Sequence, residues 1–281
     1  MRVLHHTRGV ILSDIALKTE SVEVARRRLV QAEGAFRHTI SLAPKDEYGY
    51  QSLAELYFGW AKRAETEGEA AEYLRKCEEV VTDGLRQVRV REGLWVVSAQ
   101  IAEWLGDHPG TIEALEEAIA STPGGVVARS MLGRLYLRQG APQKTIDLLQ
   151  PVIEQSPEEV RSCLLYASAQ YQLGASLPEC IATLRLCSAY GFRYPRYIAT
   201  LAGLLFLARD FTEAERLFEE GRSRGFGAAE SYQVHFEALN QDRTGPMRLR
   251  GSVTHVRPGY AFIRSPDLQT SSVQVPDMET C

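Results

Sequence analysis

A basic and aromatic stretch near the C-terminus carries residue types that bind nucleic acid. Residues 243–264 contain five arginines and no Asp or Glu, although the whole chain has a net charge of −4. Guanidinium groups pair with phosphates, and Tyr and Phe rings stack on single-stranded bases. The candidate contacts are Arg248, Arg250, His255, Arg257, Tyr260 and Phe262. In the competing interpretation, Tyr260 and Phe262 pack on the last helices of the chain and cap them.

Motifs for catalysis and metal binding are not found in the sequence. It has no GxxxxGK(S/T) phosphate loop, no HExxH, no paired Cys/His metal spacing and no Gly-x-Ser-x-Gly elbow. We therefore expect a protein that is not an enzyme, and we expect neither a metal nor a cofactor.

The elements that must position the candidate residues recur with a period of 34 residues. Pro123 and Pro157 are 34 residues apart, and Gly133 lies between them among large apolar residues. Two antiparallel helices need a small residue where they cross, apolar residues where they pack, and a stop after the second helix. The same landmarks recur in units that begin at Glu92, Arg161 and Pro195, and in two earlier units, the first of which starts near Val3.

This pattern resembles the tetratricopeptide repeat (TPR) family over roughly residues 1–240. The resemblance implies an all-α, TPR-like α-solenoid of about six helical hairpins plus a capping helix at about 228–240. About four extra residues around 65–69 predict longer helices or a wider turn in that unit. The predicted domains are 1–242, the helical repeats, and 243–281, a basic segment with a small amount of β structure.

The TPR resemblance also implies a binding groove, because the first helices of TPR units line a concave surface. Carried onto this sequence, the groove positions predict partner-binding residues on five of the units. They are Tyr48, Gln51, Glu55, Phe58, Gln100, Glu103, Ser130, Arg134, Gln172 and Arg196. The Lys and Asn set that grips a C-terminal carboxylate in chaperone-type TPR proteins is missing, which disfavours a chaperone cofactor.

The C-terminal segment resembles the start of a cold-shock or related OB-type barrel. The residues that match are Gly251, Val253, Gly259, Tyr260, Phe262 and Ile263, with Ala261 in place of a glycine. The usual Trp is missing, the strand spacing is about two residues short, and the segment has room for at most half a barrel. The resemblance implies single-stranded nucleic-acid contact through the aromatic rings.

Cysteine usage and apolar runs bear on the compartment. Of the five cysteines, four lie at packing positions of the predicted helices, which predicts buried free thiols and a reducing environment. No secretory leader or membrane-spanning run is recognised. We therefore expect a cytoplasmic protein without membrane contact.

Helical repeats followed by a cold-shock-like segment resemble the C-terminal sensor half of STAND-type signalling ATPases, including bacterial antiviral defence proteins. The run from Leu4 to Leu12 is similar to the first repeat helix in such proteins. The leading hypothesis is a non-catalytic scaffold or adaptor that binds a protein partner, as a sensor or regulatory subunit of a defence or signalling complex. Two alternatives stay open: a single-stranded RNA or DNA binder that acts through the basic tail, and a subunit that masks a toxin or nuclease.

Overall fold

Helices arranged in hairpins make up most of the chain. The computed structural model describes residues 2–191, 193–210, 212–214, 216–217, 220, 252–257, 260–264 and 273–276. Its helices are α1 (Arg2–Lys18), α2 (Val22–Leu42), α3 (Glu47–Ala61), α4 (Glu67–Gln87), α5 (Glu92–Leu105), α6 (His108–Ser121), α7 (Val127–Arg138), α8 (Pro142–Gln155), α9 (Val160–Gln172), α10 (Leu177–Leu186), α11 (Ser188–Gly191) and α12 (Pro195–Leu207). The described strands are β1 (Ser252–Arg257), β2 (Tyr260–Arg264) and β3 (Val273–Pro276), which pair antiparallel in that order.

The predicted all-α repeat fold is confirmed. Helices α1 to α10 form five successive pairs, with α11 as a short extension after α10, and α12 is followed by helical backbone at 212–214, 216–217 and 220. The extra residues predicted around 65–69 lengthen α4, which has 21 residues against 14 in α6. The predicted capping helix at 228–240 and the predicted domain boundary after 242 lie outside the described residues. The cold-shock resemblance of the C-terminal segment stays a prediction.

The chain forms two compact units, unit 1 (Met1–Leu132) and unit 2 (Gly133–Cys281). Each has its own apolar core between the paired helices. Among the largest fully buried side chains of unit 1 are Phe36, Leu53, Leu56, Tyr57 and Leu94, and among those of unit 2 are Leu149, Leu184, Tyr197, Leu204 and Leu205. Isolated hairpins cannot bury such faces, so each core depends on neighbouring hairpins that pack side by side.

Small residues bring the two helices of a hairpin close together, as Gly133 predicted. A Cβ atom on Gly133 would lie 3.2 Å from Cδ1 of Leu149, which is closer than most real Cβ contacts. The hydroxyl of Thr145 donates a hydrogen bond of 2.9 Å to the Gly133 carbonyl oxygen. In unit 1 the Cys77 thiol makes the same kind of bond, 3.1 Å long, to the Ala54 carbonyl oxygen. These side chains therefore tie the second helix of a hairpin to the backbone of the first.

The cysteines at the predicted packing positions are buried free thiols. This is confirmed for Cys77, Cys163, Cys180 and Cys187, whereas Cys281 lies outside the described residues. Burial raises the pKa of the Cys77 thiol to about 12. The thiol is therefore neutral at physiological pH and acts as a small apolar side chain with a weak donor.

Four first helices end in the same left-handed turn. Gly106, Gly140 and Gly174 have φ angles of 77°, 71° and 94°, and Arg209 takes the corresponding place with φ 66°. In each case the next residue donates its N–H to the carbonyl five residues before it, over 2.8–3.0 Å. This is the Schellman motif, which favours glycine because a Cβ atom destabilises the left-handed conformation. Arg209 is therefore the strained member of the set.

We expect glycine at position 209 to stabilise the fold and a side chain at position 140 to destabilise it. Arg209→Gly should raise the free energy of unfolding by about 1 kcal/mol, and Gly140→Ala should lower it by about 1–2 kcal/mol. Nothing lies within 4 Å of a Cβ atom at Gly140, so any loss reports the backbone conformation alone. Urea denaturation followed by circular dichroism measures both changes.

Gly34 provides the matched control, because it lies inside α2 with nothing within 4 Å of a Cβ atom. There the helix propensity of alanine dominates, and Gly34→Ala should raise the free energy of unfolding by about 0.5–1 kcal/mol. A loss of stability in Arg209→Gly would contradict the assignment of strain to this turn.

Candidate binding face

The predicted groove positions of unit 1 lie on neighbouring first helices. Helix α3 packs against both α1 and α5. We call the set of exposed and half-buried groove positions on these three helices the A face. It comprises Val3, His6 and Val10 of α1, Tyr48, Gln51 and Glu55 of α3, and Gln100 and Glu103 of α5.

Tyr48 is the most prominent aromatic residue of the A face. Its side chain is 64% exposed. The Asp46 carboxylate caps α3 by accepting a 3.1 Å hydrogen bond from the Tyr48 backbone N–H. On the α1 side, the His6 ring centroid lies 6.2 Å from that of Tyr48, and His6 Nε2 is 3.0 Å from the Ser52 hydroxyl. Tyr48 therefore offers an open aromatic surface on a backbone that a capping bond holds in place.

Next to Tyr48 the A face presents an oriented carboxylate. Gln51 Nε2 donates a 2.9 Å hydrogen bond to Glu55 Oε1, and the Glu55 side chain is exposed. A Cβ atom on Gly93 of α5 would lie 2.6 Å from the Gln51 side-chain carbonyl carbon. Glycine at position 93 therefore lets α5 approach Gln51 closely enough to limit its rotamers. The arrangement suits a cationic or hydrogen-bond-donating group of a ligand.

Two of the predicted groove residues are packing residues in the structure. Phe58 is 5% exposed, with its ring edge-on to Trp104 at a centroid distance of 6.2 Å. The Lys62 ammonium lies 4.3 Å from the Phe58 centroid, within cation–π range. Ser130 is 3% exposed. Phe58 and Ser130 are therefore buried in the structure, and their contact with a partner stays a prediction.

The groove positions did not predict Trp104 and Lys62. Both residues lie against the ring of Phe58 at the edge of the A face. Trp104 is partly exposed and follows Glu103 at the end of α5. The available signal was a Trp directly after a groove position, because aromatic rings favour edge-to-face contact with other rings. The A face thus ends in an aromatic and cationic edge made by Trp104 and Lys62.

The predicted groove residues of unit 2 are on its surface. Arg134, Gln172 and Arg196 are exposed or half-buried on α7, α9 and α12. Arg134 and Arg196 are basic, whereas the exposed Glu55 on the A face of unit 1 is acidic.

The candidate nucleic-acid residues are only partly within the described chain. Arg248 and Arg250 lie outside it. In the backbone register of β1 and β2, His255 pairs with Phe262 and Arg257 pairs with Tyr260. The register brings two basic or imidazole positions opposite two aromatic ones, and their contact with nucleic acid stays a prediction.

A half-buried carboxylate fixes the spacing of α3 and α5 beneath the A face. Glu47 Oε1 accepts a 3.2 Å hydrogen bond from the backbone N–H of Leu94, at the start of α5. Desolvation raises the pKa of the Glu47 carboxyl, and the backbone N–H groups of Leu94 and Gly93 oppose that rise. Glu47 therefore belongs to the first turn of one helix and caps the N-terminus of the next.

Metal and membrane sites are not indicated in the part of the chain that the structure describes. Among those residues no group of three or more His, Cys, Asp or Glu side chains is placed to hold a metal ion. None of the described helices combines the length and the apolar character needed to cross a bilayer.

Comparison with known proteins identifies the fold. No protein-family model matches the chain, and no curated sequence matches it either. The structure is similar to the pilF protein of Pseudomonas aeruginosa, at 13% identity and a TM-score of 0.54, over 81% of this chain and 96% of that one. A thermophilic TPR protein of Thermus thermophilus matches 61% of this chain over its whole length, at 22% identity and a TM-score of 0.44. A tetratricopeptide repeat protein of Parabacteroides merdae matches 77% of this chain and 80% of its own, at 16% identity and a TM-score of 0.47.

The hairpins, their crossings and the similarity to solved structures define a TPR-like helical-repeat protein. At these identities the similarity concerns the fold alone. What the protein binds has to be argued from its own surface.

We expect Glu47 to act as an acceptor rather than as a charge. Glu47→Ala should lower the free energy of unfolding by about 1 kcal/mol, because the N–H groups at the start of α5 lose their acceptor. Glu47→Gln keeps an acceptor oxygen and should lower it by less than about 0.5 kcal/mol at pH 7. Chemical denaturation of the three proteins at several pH values provides the measurement.

The pH dependence has a definite sign. The pKa of Glu47 is raised in the folded state, so protonation favours folding and this contribution is lost as the pH rises through the raised pKa. The stability of the wild type relative to Glu47→Gln should therefore fall between about pH 4 and pH 7. A relative stability that rises over this range would contradict the burial of the carboxylate.

Proposed function

We propose that the protein is a non-catalytic scaffold that binds a segment of a partner protein on the A face of unit 1. The observation that carries the proposal is the exposed Tyr48 beside the Gln51–Glu55 hydrogen bond, on a face that the core does not use. Exposed aromatic rings beside fixed polar groups are characteristic of protein interfaces. The helical-repeat fold supports the proposal, because stacked hairpins present extended binding surfaces.

The chemistry of the A face specifies the partner segment. Tyr48 and Val10 provide apolar contact, whereas Gln51 and Gln100 offer both donors and acceptors. Glutamates on α3 and α5 add negative charge. The complementary ligand is a peptide segment with an apolar or aromatic residue close to a Lys or Arg. Such a ligand differs from the C-terminal carboxylate that chaperone-type TPR proteins bind, for which this chain has no matching clamp.

We expect peptide selection on the full chain to recover this chemistry. A random peptide library panned on the wild type should become enriched in sequences with a basic residue near an aromatic or aliphatic one. Tyr48→Ala should lower the affinity for the selected peptides about tenfold, as measured by fluorescence anisotropy. Glu55→Lys should lower it by a similar factor, because it places a positive charge beside the basic residue of the peptide.

Val30→Ala is the matched control, since Val30 is exposed on α2 outside the A face. It should leave the affinity unchanged. Peptides that bind Tyr48→Ala and Glu55→Lys as well as they bind the wild type would place the interaction elsewhere.

The second candidate function is single-stranded nucleic-acid binding by the segment 243–281. Its support is the charge of residues 243–264 together with the register that sets His255 opposite Phe262. A role of the protein in a bacterial defence or signalling complex, the masking of a toxin, and a cytoplasmic location all stay predictions of the sequence.

We expect the nucleic-acid candidate to be decided by a truncation. If it is correct, residues 1–281 should bind a labelled single strand of about 12 nucleotides and residues 1–242 should not. The slope of log affinity against log salt should be about −3 to −4 if five arginines contact phosphates. An anisotropy signal that is the same for both chains removes this candidate.

A further inference from the structure

Helix α1 carries an exposed apolar stripe that is distinct from the A face. Leu4 is 70% exposed, Ile11 55% and Ile15 38%, and the exposed Arg8 lies among them. The spacing of i, i+4, i+7 and i+11 places these four residues on one side of the helix. We call them the end stripe.

At two positions of the end stripe, the corresponding residues of other first helices are buried, whereas Leu105 of α5, the counterpart of Ile15, is exposed. Counted from the small residue at the helix crossing, Leu4 and Ile11 of α1 correspond to Leu94 and Ile101 of α5. Leu94 is fully buried and Ile101 is nearly so. In α12 the corresponding residues are Tyr197 and Leu204, which are also fully buried. Among these three helices, exposure at these positions is therefore peculiar to α1.

In those hairpins, the second helix of the preceding hairpin contacts the residue that corresponds to Leu4. A Cβ atom on Gly84 of α4 would lie 2.7 Å from Leu94 Cδ1, so the two helices are in close contact there. In unit 2 the Tyr197 hydroxyl donates a 3.0 Å hydrogen bond to the carbonyl oxygen of Leu184 in α10. The end stripe thus has the form of a surface that an amphipathic helix covers elsewhere in the same chain.

The match between α1 and α5 also indicates the charge of the helix that would fit. Helix α5 has Leu, Ile and Leu at positions 94, 101 and 105, where the end stripe has Leu, Ile and Ile. The fourth position differs in polarity, because α5 has Ser98 where α1 has Arg8. Helix α4, which covers Leu94, carries six acidic and three basic residues. A guanidinium group on the end stripe complements such an acidic helix better than the serine hydroxyl does.

We propose that the end stripe is a docking site for an acidic amphipathic helix of a partner protein. The docked helix takes the place that α4 takes on α5, with a small residue over Leu4, an apolar residue over Ile11 and a carboxylate within reach of Arg8. This site is separate from the A face, so its test does not depend on the proposed function of that face.

The chain itself supplies a probe for this geometry. Residues 67–91, which comprise α4 and its connection to α5, can be placed ahead of Arg2 in the full chain, because Arg2 corresponds to Glu92. If the end stripe accepts an acidic amphipathic helix, the added helix should raise the Tm by about 3 °C or more through a new helix-to-helix interface. Ile11→Glu should remove most of this gain.

Val30→Glu is the control, since Val30 is exposed on α2, outside both the end stripe and the A face. Each substitution is measured with and without the added helix, so that its effect on the chain alone is subtracted. Val30→Glu should keep the gain in Tm. Equal Tm values with and without the added helix, or a gain that survives Ile11→Glu, would overturn the proposal.

Affinity capture tests for the partner itself. A partner held by the end stripe should be retained by the unmodified chain and by Val30→Glu, and lost both from Ile11→Glu and from the chain with the added helix. Equal retention by all four, or by none, contradicts the proposal. A dimer of the unmodified chain, with twice the monomer mass of 31.4 kDa, would also contradict the proposal if Ile11→Glu converted it to a monomer. In that case a second copy of the chain would occupy the stripe.

Discussion

Within each unit, the structure depends on the packing of second helices against the first helix of the following hairpin, as α2 packs on α3, α4 on α5 and α8 on α9. A hairpin buries one face internally, but its first helix has a second apolar side that only a neighbour can cover. Ile40 packs against Gly49 in this way, and Gly84 against Leu94. Within each unit, stability is therefore shared between hairpins, and in unit 1 Leu4 and Ile11 of α1 stay exposed.

The same constraint explains why the fold could be predicted from the sequence. Close helix crossings need small residues, and Gly133 with its 34-residue period identifies them without any structural information. The left-handed turn at Gly140 is recognisable for a similar reason, because glycine there relieves a backbone cost. Arg209 takes up the same turn without that signal. Only the backbone dihedral angle shows that the turn recurs there.

The candidate site was less predictable, because groove positions say where a side chain starts and not what covers it. Phe58 occupies a groove position, yet Trp104 and Lys62 cover its ring. The exposure of Leu4 could not be predicted from the sequence either, because the corresponding Leu94 has the same residue type and is buried. Trp104 belongs to the repeat that follows Phe58, and Leu94 is covered by α4 of the preceding repeat, so a pattern confined to one repeat does not contain these differences.

Tyr48 and Tyr50 show how the chain separates folding from binding within two residues of one helix. Tyr50 is buried, and its hydroxyl donates a 3.2 Å hydrogen bond to the carbonyl oxygen of Pro44, so both its ring and its polar atom serve the fold. Tyr48 leaves most of its ring in water, where an apolar surface is unfavourable unless a partner covers it. The Asp46 cap fixes the backbone at Tyr48, and the close approach of α5 restrains Gln51 beside it. A ligand would therefore meet a surface that needs little ordering on binding, which lowers the entropic cost of association.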